Sequence, residues 1–590
     1  MIPQVGCLAA LVLTLTAAPR CGWADAPSPE PADLVLLSGK IVTVDANFRI
    51  AEAMAVRGDR IVEVGDNATV LRRAGANTTR IDLEGRTVLP GLNDSHSHPP
   101  GAALYEFDHE VPDMQSIGDV LDYIRSRAAV VEPGRWIVVQ QVFVTRLRER
   151  RFPTREELDA AAPNHPVMFR TGPDAALNSL ALQLSGIDED FQITDGGPGH
   201  LERDPTTGKL TGILRSCTRL VKPSTGLKSP TDADRRERLK ALLAAYNEVG
   251  ITSVTDRGTS GSSAELYRHL RDDGELTCRM FLTYNVDAQA PLERIKSEIL
   301  KAANHPLRRY DTMVWLRGIK IYLDGGMLTG SAYMRRPWGT SAIYSITDPE
   351  YRGVLFVEPE KLYHIARLSL GNHMQLTAHA VGDGAVAALV EAYARVDRET
   401  PVRAERPCIC HANFMGADII ERMAAVGVVA DLQPAWLWHD GATLRRHFGD
   451  ERLRYFQPYK TLFDRGVTVG GGSDHMQKIG RRRSINTYDP FLGMWTTLAR
   501  RPRWDDRPLA PEEAISREQA IRLYTINGAY LTFQENEKGS LEEGKLADFI
   551  VLDTDILTCP VDAVADIRVL STWLGGRRVY PRPQPADSLK

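Results

Sequence analysis

Two histidines separated by one residue, His96 and His98, end an apolar segment that reads TVLPGLNDSHSH. Side chains alternate between the two faces of an extended strand, so both imidazoles and the Asp94 carboxylate are expected to point the same way. Two neighbouring nitrogen donors of this kind can bind a metal ion. An isolated pair is equally typical of a surface or of packing, and its place in the fold decides between these interpretations.

Four further polar residues stand where other apolar segments end: Lys320 in GIKIYLDGG, His379 in QLTAHAVGD, His411 in PCICHANF and Asp474 in GGGSD. In a β/α barrel the C-terminal ends of the strands face the active site. Taken singly, His379 is explained as a hydrogen-bonded core histidine and Asp474 as a helix N-cap. Taken together with the histidine pair, these residues predict a metal centre at one end of a barrel.

Lys320 is predicted to lie inside the barrel, because Ile319 and Ile321 on either side of it would face the surrounding helices. Tyr322 would point inward as well. A buried, unpaired ammonium is costly. Burial favours the neutral amine, which can capture carbon dioxide as a carbamate, an anion able to bridge two metals. An ion pair with Asp324 or another buried acid is the alternative.

The residues named so far belong to a region, about 87 to 536, in which short apolar strands alternate with amphipathic helices. This alternation is typical of parallel strands joined by helical crossovers in an α/β fold. The eight candidate strands are TVLPGLNDSHSH, GITSVTD, CRMFLTYN, WLRGIKIYLDGG, MQLTAHAVGD, PCICHANF, GVVADLQP and GVTVGGGSD. Between the first two lies an insertion of about residues 102 to 231, with a helix in SIGDVLDYIRSRAAVV and a strand in WIVVQQVFV. We expect this insertion to cap the barrel.

Both ends of the chain are predicted to form small antiparallel sheets. Residues 34 to 86 and 537 to 590 contain short β-branched runs separated by glycine turns. Strands from the two ends can close into one sheet, so we expect a composite β domain beside the barrel.

The first 26 residues predict a secretory signal. The apolar run VGCLAALVLTLTAAP is too short to span a bilayer comfortably, and Ala24-Asp25-Ala26 fits the small-x-small cleavage pattern. No Lys or Arg precedes the run, which leaves a frayed apolar tail as the alternative. We therefore expect a periplasmic or secreted protein without a stable membrane span after signal removal.

Composition and charge narrow the classes of partner. The chain has 590 residues, of which 43% are hydrophobic and 25% charged, as in ordinary globular proteins. With 72 Lys plus Arg against 76 Asp plus Glu, the net charge of −4 does not favour nucleic acid, and a small-molecule substrate is expected. Seven scattered cysteines without a CxxC pair predict a packed core and no disulfide framework. A homo-oligomer is compatible with these features.

The ordered set HxH, Lys, His, His, Asp on strands one, four, five, six and eight resembles the amidohydrolase superfamily. The phrases GLNDSHSH, GITSVTD, GIKIYLDGG, HAVGDGAV, DLQPAW, GGSD, TINGAYLTF and GSLEEGKLADFIVLD are similar to the branch containing N-substituted formamide deformylases and D-aminoacyl-type deacylases. The resemblance spans about residues 34 to 580. It implies a distorted (β/α)8 TIM barrel that carries a small β-sandwich built from both chain ends, with a metal centre in the barrel mouth.

The resemblance also implies the metal ligands: His96, His98, Lys320, His379, His411 and Asp474. The first two histidines and the aspartate would hold one divalent metal, the other two histidines a second, and the carboxylated lysine would bridge them. Imidazole and carboxylate ligands suit Zn²⁺, with Fe²⁺ or Mn²⁺ as alternatives, and a single metal is workable without the carbamate.

Asp474 is the expected catalytic residue. A catalytic metal site keeps a position for water and makes hydroxide available at neutral pH. The carboxylate would take the proton from the attacking water and deliver it to the leaving amine; a ligand role alone is the alternative. The predicted reaction is hydrolysis of a linear C–N amide bond in an N-acyl or N-formyl amide. Cyclic amides or esters, or a metal- or solute-binding protein without turnover, are the alternatives.

Two departures from the branch leave the substrate open. Cys410 stands before the histidine of strand six where the branch often has Glu, and Gly172-Pro173-Asp174 replaces a DGH-type phrase. Side chains expected to contact the substrate are Asp174 and Gln433 by hydrogen bonds, Trp136, Phe143, Trp436 and Trp438 in an apolar pocket, and Tyr322 or His439 at the carbonyl. The run Arg481-Arg482-Arg483 is interpreted as a solvated loop or, alternatively, as a partner for an anionic substrate group.

Overall fold

The computed structural model describes residues 30–196 and 199–582. The expected secretory signal, residues 1–26, lies outside the described residues, as do residues 583–590 of the expected composite domain. Within the described ranges, none of the helices combines the length and the apolar composition needed to span a bilayer.

Eight parallel strands pair in chain order to form a barrel: Leu92–Ser97, Ile251–Thr259, Arg279–Asn285, Val314–Tyr322, Gln375–Ala380, Cys408–His411, Val429–Leu432 and Val469–Gly471. The first and last strands meet at the C-terminal end of the barrel. There the Asp474 N–H donates to the His96 carbonyl at 2.7 Å, and the His98 N–H donates to the His475 carbonyl at 2.9 Å. The predicted α/β barrel is therefore confirmed, and its closing seam runs through three of the predicted site residues.

Helices surround the barrel because their sequences carry one apolar face. In Leu292–Ala303 the buried residues Ile295, Ile299 and Ala302 recur at helical spacing and pack on the strands. The helices of this layer are Asp232–Glu248, Gly261–Asp272, Leu292–Ala303, Pro359–Gly371, Asp383–Glu399, Ala417–Val426, Ala435–Arg452, Tyr459–Asp464, Pro490–Ala499, Arg517–Leu523 and Ile526–Leu531.

Two sheets pack beside the barrel, and the larger one contains strands from both chain ends. The larger has the strand order Arg577–Tyr580, Val569–Leu574, Phe549–Leu552, Thr87–Pro90, Lys40–Val42 and Ile50–Ala51. The smaller has the order Arg60–Gly65, Ala53–Arg57, Ala32–Leu37 and Ala74–Asp82. Leu36, Met54 and Phe549 belong to one apolar cluster that both sheets share. The two ends of the chain thus form one composite unit, as expected.

The boundary between this unit and the barrel differs from the expected residue 87. The segment expected to be one barrel strand is divided at Gly91: Thr87–Pro90 pairs with Phe549–Leu552, and only Leu92–Ser97 belongs to the barrel. Glycine is required there, because a Cβ atom would lie 2.2 Å from Thr252 Oγ1. The close approach lets the chain pass from one sheet to the other.

The insertion after the first barrel strand has its own sheet and apolar core. It contains the helices Pro99–Leu104, Ile117–Ala128, Arg155–Ala161 and Ser179–Leu184 and the strands Ile137–Gln140, Val167–Thr171, Asp174–Leu177, His200–Arg203 and Leu210–Arg215. A second extension, residues 323–358, was not predicted. It follows the fourth strand and packs Trp338 and Tyr344 against Phe448 of the helix Ala435–Arg452.

A buried ion pair joins the barrel to the composite unit and yields a stability prediction. Arg279 begins the third strand, and its guanidinium binds Asp548 at 2.6 and 2.8 Å with both side chains at most 5% exposed. Asp548→Ala leaves the guanidinium buried and unpaired, so we expect the free energy of unfolding to fall by about 3–5 kcal/mol. Urea and thermal denaturation measure the loss. As a control, Glu360→Ala at the exposed Arg395–Glu360 pair should leave the midpoint unchanged; equal midpoints for both variants would contradict the prediction.

Candidate metal centre

His96 is held in one orientation by a buried carboxylate. Its Nδ1 donates to Asp431 Oδ2 at 2.9 Å, and both side chains are fully buried. Asp431, from the seventh strand, also accepts hydrogen bonds from Ser95 Oγ at 2.7 Å and from Arg257 Nε at 3.2 Å. Burial lowers the pKa of His96, but the Asp431 charge outweighs it and raises the pKa to about 9. The second nitrogen, Nε2, is buried and has no hydrogen-bond partner in the described part of the chain.

Asp474 faces both histidines of the HxH pair. Its Oδ1 lies 3.1 Å from His98 Nε2 and 3.5 Å from His96 Nε2. Asn486 Nδ2 donates to Asp474 Oδ2 at 3.1 Å and to the Asp474 carbonyl at 2.8 Å, which fixes the acid from the other side. Burial raises the pKa of Asp474, yet the His98 hydrogen bond and the His96 charge hold it well below its usual range. At neutral pH this side chain is therefore a carboxylate.

The other two predicted histidines complete a cluster of rings. The His411 ring centroid lies 4.8 Å from that of His96 and 4.6 Å from that of His379. His411 Nδ1 donates to Gln433 Oε1 at 2.7 Å, which leaves Nε2 as the available ligand atom. Burial and the Lys320 charge lower the pKa of His379 to about 4, and burial with the His379 charge lowers that of His411. Both rings are neutral at physiological pH, the form that binds metals.

Lys320 is fully buried, and its Nζ has no hydrogen-bond partner among the described residues. It lies beside the ring cluster: its Nζ is 5.2 Å from the Tyr322 ring centroid, and that ring is 5.6 Å from the His379 ring. Lys320 does not form the alternative ion pair with Asp324. The Asp324 carboxylate accepts backbone N–H groups of Val381, Gly382 and Tyr333 at 2.9–3.0 Å.

The arrangement fits a divalent cation. The ligand atoms of His96, His98 and Asp474 all lie within 4.8 Å of one another. The neutral rings of His379 and His411, the ionised Asp474 carboxylate and the buried, unpartnered His96 Nε2 are features expected of metal ligands. An uncompensated buried cluster of this kind would be costly in a protein that bound nothing there.

Sequence reasoning missed the residues that orient these ligands. Asp431, Arg257 and Asn486 all make the contacts described above, and none was singled out. A signal existed for Asp431, because it is the one acid within the apolar run VVADL. Cys410, which stands where the branch often has Glu, is buried in a polar environment: its Sγ lies 2.9 Å from Thr377 Oγ1 and 3.5 Å from Asp431 Oδ2.

Asp174, Gln433, Trp436 and Tyr322 are four of the side chains expected to contact the substrate, and the first two are used within the protein. Gln433 accepts from His411 and donates to the Asp431 carbonyl at 3.2 Å, so it orients a ligand. Asp174 lies in the cap and binds Arg215 at 3.2 Å and the Ser216 N–H at 2.8 Å. Both side chains are therefore occupied by intramolecular hydrogen bonds. The residue types alone could not predict these partners.

The other two expected substrate contacts lie at the ring cluster. The Trp436 indole stacks on His411 with 5.0 Å between ring centroids and 7° between planes. The Tyr322 ring lies 5.6 Å from that of His379 and is 42% exposed at the barrel mouth. A substrate in the barrel mouth can contact Tyr322, whereas Trp436 packs against His411.

The remaining expected pocket residues divide between two places. Phe143, Trp438 and His439 line one cavity between the cap and the barrel, while Trp136 packs against an apolar cluster inside the cap. The three arginines of the basic run are all paired with acids of the protein. Arg481 and Arg482 bind Asp489, and Arg483 binds Glu106 and Glu110. The run is therefore neither a free solvated loop nor an unpaired anion site.

Comparison with known proteins gives consistent matches. A model described as the amidohydrolase family matches residues 79–580. The N-substituted formamide deformylase of Arthrobacter pascens is 31% identical over 566 residues, covering 93% of this chain and 98% of that protein. A D-aminoacylase of Alcaligenes xylosoxydans xylosoxydans is 37% identical over 79 residues, 13% of this chain and 15% of that protein. In fold, an uncharacterized metal-dependent hydrolase from Pyrococcus furiosus aligns with a TM-score of 0.63 at 22% identity, covering 89% of this chain and 100% of that one.

The Asp431–His96 hydrogen bond yields a prediction on metal affinity. Asp431→Asn removes the negative charge that holds the His96 ring, so we expect metal affinity to fall about 10- to 100-fold. Metal content after dialysis against a series of buffered free-metal concentrations measures the change. The matched control is Asp397→Asn, which alters a carboxylate that accepts the Val402 N–H on an outer helix and should bind metal normally. Equal affinity in both variants would show that Asp431 does not orient the ligand.

The low pKa of His379 yields a prediction on the metal-free protein. Between about pH 4 and 6.5 the unfolded chain binds a proton at His379 that the folded chain does not, so acidification favours unfolding. As the pH falls through that window, proton uptake by His379 in the unfolded chain should lower the free energy of unfolding by about 3 kcal/mol. Urea midpoints of wild type and His379→Asn at pH 7 and pH 5 measure this: the stability of the wild type relative to the variant should fall as the pH is lowered. A difference independent of pH would contradict the expected burial of a neutral ring.

Proposed function

The chain belongs to the amidohydrolase family and is a hydrolase of C–N bonds, and on that premise we propose that it cleaves a linear amide bond in a small N-acyl or N-formyl amide. The observation that carries the proposal is the convergence of His96, His98 and Asp474 with the remaining imidazoles and the buried lysine at one barrel mouth. The similar deformylase, related over nearly its whole length, supports a linear amide as substrate.

His96, His98 and Asp474 would hold one divalent cation, and His379 and His411 a second. Bound there, the metal would activate a water molecule and polarise the substrate carbonyl. Ligands of nitrogen and oxygen suit Zn²⁺, with Fe²⁺ and Mn²⁺ as the alternatives. Asp431 and Gln433 fix the ring orientations of His96 and His411 through Nδ1, so each ring offers its Nε2.

Lys320 would bridge the two cations as a carbamate. Its neutral amine would attack carbon dioxide, forming an N–C bond and releasing one proton, and the resulting anion carries two oxygens. Support comes from the complete burial of Lys320 and from its Nζ, which has no partner in the described region. Conversion to an anion removes a positive charge from among three imidazoles and supplies a ligand in its place.

Asp474 would move the proton. Its carboxylate is ionised and is oriented by His98 on one oxygen and by Asn486 on the other. It would accept a proton from the attacking water and donate it to the leaving nitrogen as the C–N bond breaks. Because its pKa is low, the side chain is ionised before the reaction, which is the form that can accept a proton.

We also propose a periplasmic or secreted location. The support is the sequence of residues 1–26 with its apolar run and small-x-small site. N-terminal sequencing of the mature protein is the direct check.

A substrate panel with two variants tests the proposed reaction. The metal-loaded protein should release amine from N-formyl and N-acyl amides faster than it opens cyclic amides or cleaves esters. Asp474→Asn should lower kcat by about 10²–10⁴-fold, because the amide cannot accept the proton. Lys320→Ala should lower both metal content and kcat, while Asp397→Asn serves again as the unaffected control. Full activity in both site variants would overturn the assigned roles, and faster cyclic amide or ester cleavage would replace the proposed substrate class.

A further inference from the structure

A cavity of about 270 Å³ lies between the cap, the helix Ala435–Arg452 and the loop that follows Asp474. Its wall is connected to the metal centre by two hydrogen bonds. Arg146 Nη1 donates to Asn486 Oδ1 at 3.0 Å, and Asn486 Nδ2 donates to Asp474 Oδ2 at 3.1 Å. The cavity therefore adjoins the residues that orient Asp474.

Five cationic side chains line the cavity: Arg146, Lys478, Arg482, Arg483 and Arg503. Four of them have acidic partners within 3.3 Å, which are in the same order Asp440, Asp113, Asp489 and Glu106. Arg503 is the exception: no carboxylate of the described residues lies within 4.0 Å of it. Within the described residues, the lining thus carries one guanidinium that forms no ion pair, and the nearby Asp113 of the same lining is paired with Lys478.

Aromatic rings hold Arg503 in place. Its guanidinium carbon lies 5.1 Å from the Trp438 ring centroid and 4.6 Å from that of Trp504, and its backbone N–H donates to the Trp438 carbonyl. A stacked guanidinium loses little conformational entropy when its N–H edge binds a planar anion. Cation–π contacts stabilise the charge without using the N–H donors.

His439 adds a second polar group without a partner. Its Nε2 is buried and makes no hydrogen bond to the described residues. Burial, with the charges of Arg146 and Arg503, lowers the pKa of His439 well below its usual value. The ring is therefore neutral, and it can present one N–H donor beside the guanidinium.

We propose that this cavity binds a carboxylate group of the substrate, with Arg503 as its charge partner, His439 as a hydrogen-bond donor, and Phe143 and Trp438 against its apolar body. The inference rests on the proposed function and adds a substrate class: amides that carry a carboxylate. One unpaired guanidinium matches one negative charge, and a planar carboxylate matches its paired N–H edge. A doubly charged phosphate would leave one charge uncompensated.

A matched pair of amides tests the inference on the metal-loaded full chain. N-formylbenzylamine and N-formylphenylglycine differ by a carboxylate in place of one benzylic hydrogen, and both enantiomers of the latter are used. Wild type should show a kcat/KM at least about tenfold higher for one enantiomer of the acid, the range of a charge-assisted bidentate pair. Arg503→Met should reduce that ratio to near one, because only the acid has a carboxylate that loses its contact with the guanidinium.

The control is Arg482→Met, which removes a cation of the same cavity that Asp489 already neutralises and should keep the wild-type ratio. Inhibition of neutral amide hydrolysis by phenylacetate should weaken about tenfold in Arg503→Met and remain normal in the control. Turnover of the neutral amide with no preference in wild type, or equal losses on both substrates in Arg503→Met, would overturn the inference and leave the proposed function standing. Hydrolysis of no linear amide would overturn both.

Discussion

The buried carboxylate of Asp431 ties together the parts of the barrel that form the metal centre. It accepts hydrogen bonds from Ser95, His96 and Arg257, which come from the first and second strands, while Asp431 itself lies on the seventh. Arg257 and Asp431 are both fully buried and form an ion pair. Without its partner, either charge would lie unpaired in the protein interior. This network fixes the orientation of the His96 ring, because Nδ1 is hydrogen-bonded to Asp431 and Nε2 remains as the available ligand atom.

The seam that closes the barrel lies at the same place. The hydrogen bonds from Asp474 to His96 and from His98 to His475 join the last strand to the first. Asp474 has a φ of +54° and His411 a φ of +76°, conformations that non-glycine residues rarely adopt. Such conformations persist only where the surrounding bonds determine them, as Asn486 does for Asp474. The same hydrogen bonds therefore close the barrel and position the site residues, so a change in one should also alter the other.

Much of this architecture could be predicted because it depends on local pattern. The alternation of apolar strands and helices predicted the barrel, and polar residues at strand ends predicted a cluster that the structure forms around His96, His411 and Asp474. The partners of Gln433 and Asp174 could not be predicted in this way. Their bonds to His411 and Arg215 link residues on neighbouring strands whose register is set by the whole sheet. The division of a strand at Gly91 likewise depends on Thr252, a residue far along the chain.

Crystallography of the metal-loaded protein in bicarbonate, with anomalous scattering, tests the central claim most directly. We expect cation density about 2.0–2.2 Å from His96 Nε2 and from an Asp474 oxygen, with continuous density beyond Lys320 Nζ toward a second cation held by His379 and His411. Cations bound away from these side chains, or a Lys320 ammonium paired with a protein carboxylate, would contradict it.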